Sequence, residues 1–125
     1  LLESIQQSGV KRILLLGPAP YWPDDLPKIL VRQWKQNQTP RIRQRLHDHR
    51  GDSVEIDTFL RDATSAENKV EYISVLDAFC NQDGCLTYVF DDPTALTTWD
   101  YGHLTTKGAA YLIRRLPLDR PKPNS

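Results

Sequence analysis

The stretch Ile13-Leu14-Leu15-Leu16-Gly17-Pro18-Ala19-Pro20 decides the fold, because a short apolar run ends there in glycine and prolines. Four consecutive apolar residues are typical of a parallel-sheet strand that is buried on both faces. The prolines exclude regular structure and indicate a loop at the carboxyl end of that strand. Open α/β sheets bind ligands at that edge, so the stretch predicts a strand and the place of a site.

Outward from this strand, strand-like and helix-like patterns alternate along the chain. The β-branched and aromatic run Val70-Glu71-Tyr72-Ile73-Ser74-Val75 predicts a second strand. A third, short strand is expected over residues 86–90, at a sheet edge or in a hairpin. Residues 1–9 are expected to be the tail of a helix. Further helices are expected over 27–36 and over 106–115, with one or two within 41–67. Strands that alternate with helices predict an α/β layered fold.

Length and charge restrict the class of protein further. The 125 residues fit one domain, and the 16 basic residues are balanced by 16 acidic ones. This neutrality argues against a nucleic-acid partner, and the basic run over residues 41–50 is interpreted as a solvated helix face. No apolar run is long enough to span a bilayer, and no signal peptide is visible. Because the chain begins at Leu1 and contains no Met, we expect a piece of a longer protein.

Two cysteines, Cys80 and Cys85, enclose a short polar loop. A disulfide, and with it an oxidising compartment, is the first interpretation. Two free thiols come second and a metal site last, because the spacing is not C-x-x-C and the three histidines lie elsewhere in the sequence.

The segment from Asp100 to Ala110, Asp-Tyr-Gly-His-Leu-Thr-Thr-Lys-Gly-Ala-Ala, carries the strongest chemical signal. Asp100 precedes His103 by three residues, and Thr105 is a good N-cap for the helix that follows. A histidine that acts as a general base needs a carboxylate to fix its tautomer and stabilise its charged form. The pattern therefore predicts catalysis by an activated nucleophile.

The longer string Asp-x-x-His-Leu-Thr-x-x-Gly-Ala resembles the last conserved block of the SGNH (GDSL-type) hydrolases and acyltransferases. More closely, it resembles the SGNH domain of acyltransferase-3 proteins, which O-acetylate bacterial surface polysaccharides. The strand and proline loop over residues 13–20 resemble the segment after the third block of that family. Tyr72-Ile73-Ser74-Val75, followed by Cys80 and Cys85, resembles the strand and cysteine pair before the catalytic loop.

This resemblance implies a flavodoxin-like α/β/α sandwich with a parallel sheet over residues 1–117, followed by a tail over 118–125. It implies that Asp100 and His103 are the catalytic Asp and His, with an acyl-serine intermediate and no cofactor or metal. It also implies a place on the periplasmic face of the bacterial inner membrane. The expected partners are a membrane acyltransferase domain that delivers the acyl donor, a glycan acceptor, and the N-terminal part of the same SGNH domain.

The serine nucleophile of the family follows the first strand of the domain, in a Gly-Asp-Ser block, and the alignment begins after that point. The chain is therefore expected to be the C-terminal half of the domain. Gly51-Asp52-Ser53 spells the block, but the polar residues before it do not form a central strand. Ser53 is interpreted as an N-cap or exposed turn serine, with Gly51 as a helix stop.

The sequence supports one principal function and two alternatives. The first is O-acyl transfer to a cell-surface glycan, for which this chain provides His103 and Asp100. An esterase with the same residues is the second, and a non-catalytic glycan-binding or interaction domain is the third. Tyr21 and Trp22 are candidates for an acceptor sugar site through their flat faces, and Trp99 for a wall of the active site. Packing inside the protein is the alternative for all three.

Overall fold

The computed structural model describes residues 1–36, 43–44, 50–67 and 69–118 of the chain, with the backbone alone at 43, 44, 50 and 51. Most of the basic run over 41–50 and the tail over 119–125 lie outside these residues. The elements in chain order are α1 (Leu2–Gln7), β1 (Ile13–Leu16), α2 (Leu26–Lys35), β2 (Arg43–Gln44), α3 (Arg50–Thr64), β3 (Val70–Ile73), α4 (Val75–Phe79), β4 (Cys80–Asn81), β5 (Gly84–Leu86) and α5 (Thr106–Ile113). The mixed α/β layout agrees with the sequence pattern.

The two predicted strands of the parallel sheet pair with each other. β1 and β3 run parallel in a register that sets Ile13 beside Val70 and Leu16 beside Ile73. The amide of Gly17 continues the pairing by donating to the carbonyl of Ile73 at 2.9 Å. A Cβ atom at position 17 would collide with the Tyr72 hydroxyl, so only glycine fits where the chain leaves β1.

The expectation that β1 is buried on both faces is wrong for the described residues. Its first three residues are half-buried, and Leu16 is 43% exposed. The reason is that β3 is the one strand that pairs with β1 in the described part of the chain. An apolar run can thus identify a strand of a parallel sheet without showing how much of the sheet covers it.

The cysteine loop forms a small antiparallel hairpin. Cys80 and Cys85 are joined by a disulfide, as the sequence predicted, and they face each other across β4 and β5. β2 pairs with the other edge of β5. The strand predicted over 86–90 lies earlier in the chain. Phe90 and Asp91 adopt positive φ angles of 59° and 52°, and such a turn cannot continue a strand.

Helix α4 (Val75–Phe79), with Ser74 as its N-cap, begins where the end of the second strand was expected. The Ser74 hydroxyl caps α4 by accepting a hydrogen bond from the amide of Asp77 at 3.1 Å. The same hydroxyl donates to the buried carboxylate of Asp57 on α3 at 2.9 Å, and the Tyr72 hydroxyl donates to that carboxylate at 2.5 Å. Burial, and then the Asp57 carboxylate, raise the pKa of Tyr72 above its ordinary value. These bonds hold α3 against the carboxyl end of β3.

The core lies between α4, β5, the segment after β5, and α5. Its buried members are Val75, Phe79, Leu86, Val89, Ala95 and Leu112. A second cluster joins the proline loop to the hairpin through Trp22, Leu26 and Cys85. The two clusters support residues 96–105 from both sides. Among the described helices, none combines the length and apolarity that crossing a membrane requires.

Candidate active site

Residues 97–105 form a closed loop before α5. The amide of Thr105 donates to the carbonyl of Thr97 at 2.9 Å, and the amide of Trp99 donates to the carbonyl of His103 at 3.2 Å. Thr98 and Leu104 pair between these bonds as an antiparallel bridge. The five residues from Trp99 to His103 are therefore the tip of a loop whose two arms are tied together.

Asp100 and His103 meet at this tip. Oδ2 of Asp100 lies 2.6 Å from Nδ1 of His103. Oδ1 of the same carboxylate accepts hydrogen bonds from the amides of Gly102, at 2.8 Å, and His103, at 2.7 Å. Because an ionised carboxylate only accepts, Nδ1 carries the proton and Nε2 is left with its lone pair for chemistry. The structure thus brings together the two residues that the sequence singled out.

The environment favours the ionised form of Asp100. Partial desolvation alone would raise the pKa of its carboxyl group. The hydrogen bonds from the amides of Gly102 and His103, together with the His103 side chain, outweigh desolvation and hold this pKa below its ordinary value. The Asp100 side chain is 13% exposed and the imidazole is 64% exposed. The carboxylate is thus sheltered while the ring that it orients can reach a substrate.

The proline loop after β1 and the start of α2 are hydrogen-bonded to the tip. The amide of Trp22 donates to the carbonyl of Tyr101 at 2.7 Å, and the amide of Leu26 donates to the carbonyl of Asp100 at 3.2 Å. Trp22 and Leu26 are themselves almost fully buried. The loop at the carboxyl end of β1 therefore lies against the candidate site, as expected for an open α/β sheet.

The start of α5 anchors the other end of the loop. The Thr105 hydroxyl accepts from the amide of Gly108 at 2.9 Å, which confirms Thr105 as the N-cap, and donates to the carbonyl of Leu96 at 2.5 Å. A Cβ atom at position 108 would collide with the carbonyl oxygen of Thr97. The Thr and Gly of the motif are thus explained by helix capping and close packing.

Two aromatic side chains contact the imidazole, and a third packs on one of them. The indole of Trp99 stacks on His103 with ring centres 5.7 Å apart, and Tyr101 meets the imidazole edge-on at 5.8 Å. Tyr21 packs on Tyr101 at 5.1 Å. Trp22 is excluded as a sugar contact because it is 1% exposed, whereas Trp99 is 62% exposed. Tyr101 was missed from the sequence, although its place between Asp100 and His103 was a usable signal.

Gly51-Asp52-Ser53 is not a strand-end nucleophile block. All three residues belong to α3, which begins at Arg50, and Ser53 is buried. The expectation that Ser53 is an N-cap or exposed turn serine is therefore wrong, and so is the role of Gly51 as a helix stop. The buried carboxylate of Asp57 fixes the inward face of α3, and Ser53, four residues earlier, shares that face. Packing thus overrides the tendency of glycine to end a helix.

Among the described residues, no three His, Cys, Asp or Glu side chains cluster in a way that could hold a metal ion. His47 and His49, two apart in the basic run and so not expected to form a metal pair, lie outside those residues. The chemistry that the described site can perform is proton transfer by His103, oriented by Asp100.

Comparison with known proteins identifies a family and a fold. No curated protein sequence matches the chain significantly. The fold is similar to that of the periplasmic domain of a lipopolysaccharide acetyltransferase from Salmonella ser. Paratyphi A, with a TM-score of 0.76 and 31% sequence identity. The similarity covers 91% of this chain and 44% of that chain, so this chain spans less than half of the solved domain.

A family model described as the SGNH domain fused to AT3 domains matches residues 1–117. The resemblance carried by residues 13–20 and 100–110 is thereby confirmed, together with the α/β fold class. This chain belongs to the family of SGNH domains that are fused to AT3 domains.

Proposed function

We propose that this chain supplies the His and Asp of a Ser-His-Asp triad that transfers an acyl group, foremost acetyl, to a hydroxyl of a bacterial cell-surface glycan. The observation that carries the proposal is the 2.6 Å contact between His103 Nδ1 and Asp100 Oδ2 on a loop where the imidazole is exposed. Membership of the SGNH family and the similarity to a lipopolysaccharide acetyltransferase domain support it.

In the proposed reaction, Nε2 of His103 takes the proton of a serine hydroxyl while the serine oxygen attacks the acyl carbonyl of the donor. The imidazolium returns this proton to the leaving group of the donor as the acyl-serine forms. His103 then takes the proton of the glycan hydroxyl that attacks the acyl-serine, and the proton passes to the serine oxygen as the ester is released. Asp100 keeps Nδ1 protonated throughout and stabilises the imidazolium.

The serine is proposed to come from the N-terminal part of the same SGNH domain. Neither Ser53 nor Ser74 of this chain suits the role of nucleophile. Ser53 lies inside α3, and the Ser74 hydroxyl is engaged by Asp57 and by the amide of Asp77. More than half of the solved relative has no counterpart in this chain, and that part can include the missing strands and the nucleophile.

The membrane acyltransferase domain is the proposed source of the acyl group. The family is defined by its fusion to AT3 domains, and the solved relative is a periplasmic domain. We accordingly place this domain on the periplasmic side of the inner membrane. The disulfide between Cys80 and Cys85 fits that oxidising compartment.

The test is acyl transfer to surface polysaccharide by the intact protein that carries this domain, with and without His103→Ala. We expect transfer to fall by about 10³-fold or more, because the base and its charge stabilisation are lost together. A His103→Ala protein with full activity would refute the proposal. Free acid released without glycan modification would instead identify an esterase, and an inactive wild type would favour a binding domain.

A further inference from the structure

A cleft of about 310 Å³ adjoins the candidate active site. It is distinct from a cleft of about 340 Å³ that lies along α2. Thr94, Thr98 and Trp99 line the smaller cleft on one side, and Thr105, Thr106 and Lys107 line it at the start of α5. Ligand sites in proteins begin at about this volume. We propose that this cleft binds a sugar residue of the acceptor glycan, an inference that rests on the function proposed above.

Trp99 links the cleft to the chemistry. Its indole stacks on the imidazole of His103 with an interplanar angle of 23°, and it also forms a wall of the cleft. A tryptophan that is 62% exposed beside a reactive histidine leaves a large apolar face uncovered. The weakly positive C–H groups of a pyranose face pack on the negative π face of an indole. A sugar placed there packs on the residue that stacks on His103.

Threonine side chains form much of the remaining lining. The hydroxyls of Thr94 and Thr105 are engaged by Asp92 and by the carbonyl of Leu96, and Thr98 is fully buried. The exposed indole of Trp99 therefore carries the assignment of a sugar.

The cleft also continues beyond the first sugar. It shares Pro27, Thr94 and Leu96 with a second cleft of about 440 Å³ that reaches Leu30 and Tyr88. The two together form a groove rather than a closed pocket. A groove of this kind accommodates a chain of sugars better than a single small ester, which is consistent with a polymeric acceptor.

The experiment measures acyl transfer by the intact protein to polysaccharide released by mild acid from the lipopolysaccharide of the bacterium that makes it. We expect Trp99→Ala to raise KM for the polysaccharide by about tenfold or more, with a much smaller fall in kcat. Trp34→Ala is the matched control, because Trp34 is 70% exposed on α2 and does not line the cleft. That control should leave KM unchanged.

A second variant tests the cleft without altering the stack on His103. Thr106→Trp fills the cleft from the exposed start of α5, and Ile113→Trp adds the same ring to an exposed position on the same helix. We expect about a tenfold rise in KM for the first and none for the second. If Thr106→Trp keeps the wild-type KM, the cleft assignment is wrong. Activity that survives His103→Ala would overturn the proposed function instead, so the two failures are distinguishable.

Discussion

The carboxylate of Asp100 holds His103 twice, once through the side chain and once through the backbone. Oδ2 lies 2.6 Å from Nδ1 of the imidazole, and Oδ1 accepts the amide hydrogen of the same histidine at 2.7 Å. One side chain therefore folds the loop and also orients the ring that the loop presents.

An Asp100→Asn variant removes the charge of this side chain but keeps its shape, so it tests the two roles separately. The asparagine carbonyl can still accept the amides of Gly102 and His103, but its NH₂ group faces Nδ1 and favours the wrong tautomer. We expect acyl transfer to fall by about 10³- to 10⁴-fold, as when a triad carboxylate is lost, while circular dichroism stays unchanged. Asp92→Asn is the matched control, because Asp92 caps its own turn through Thr94 away from the imidazole. Equal losses in both variants would contradict the prediction.

The lowered pKa of Asp100 predicts a pH dependence of stability. The folded-state value lies below the ordinary value of 3.8, so ionised Asp100 stabilises the folded state above pH 3.8. That stabilisation is lost as the pH falls through the folded-state pKa. We expect the wild type to exceed Asp100→Asn in free energy of unfolding at about pH 5, and the gap to shrink below pH 3.8. Urea titrations at several pH values measure it, and a gap that widens in acid would contradict the sign.

Ser53→Ala should leave acyl transfer by the intact protein close to the wild-type level. Ser53 lies in the first turn of α3, on a face that packs inward, and not at the end of a strand. A variant that removes the serine proposed to come from the N-terminal part of the domain should abolish transfer. Loss of activity in Ser53→Ala, with a normal circular dichroism spectrum, would show that the Gly-Asp-Ser of this chain does take part.

Asp57→Ala should destabilise the domain by about 2–4 kcal/mol, because the hydroxyls of Tyr72 and Ser74 lose their common acceptor in a buried place. Chemical denaturation of the purified domain measures the effect. Asp62→Ala, an exposed change on the same helix, should alter the free energy of unfolding by less than about 0.5 kcal/mol. Similar values for the two variants would mean that the buried network does not hold α3 in place.

Removal of the disulfide should lower stability by about 2 kcal/mol, the chain-entropy value for a loop as short as that between Cys80 and Cys85. The comparison is between the wild type and a double Cys80→Ala, Cys85→Ala variant in urea. Wild-type protein unfolded in the presence of a reductant should lose a similar amount, which separates the cross-link from the packing of the sulfur atoms. A reductant without effect would argue against the cross-link.

The elements that the sequence predicted well are those with a local cause. The apolar residues Ile13–Leu16 form a strand, and the glycine and prolines that follow end it. Thr105 begins α5 because its hydroxyl satisfies an amide one turn later. The contact of Asp100 with His103 was equally predictable, since three residues of spacing allow a carboxylate to bond both the amide and the ring of the later residue.

The features that the sequence did not predict depend on distant partners. Ser53 was misplaced because the packing of Asp57 decides how α3 lies. The aromatic cluster beside His103 also needs the proline loop, whose Tyr21 is eighty residues from Tyr101 in sequence and packs on it at a tilt.

The tied arms of the loop over residues 97–105 have a consequence for how the whole site is assembled. Every hydrogen bond that orients His103 comes from Asp100 or from the arms of its own loop, and the proline loop and α5 brace that unit. The geometry of this Asp–His pair is thus a local property that other parts of the domain need not supply. Evolution could therefore vary the surface around Trp99, or the elements beyond the braced loop, without altering how the two side chains meet.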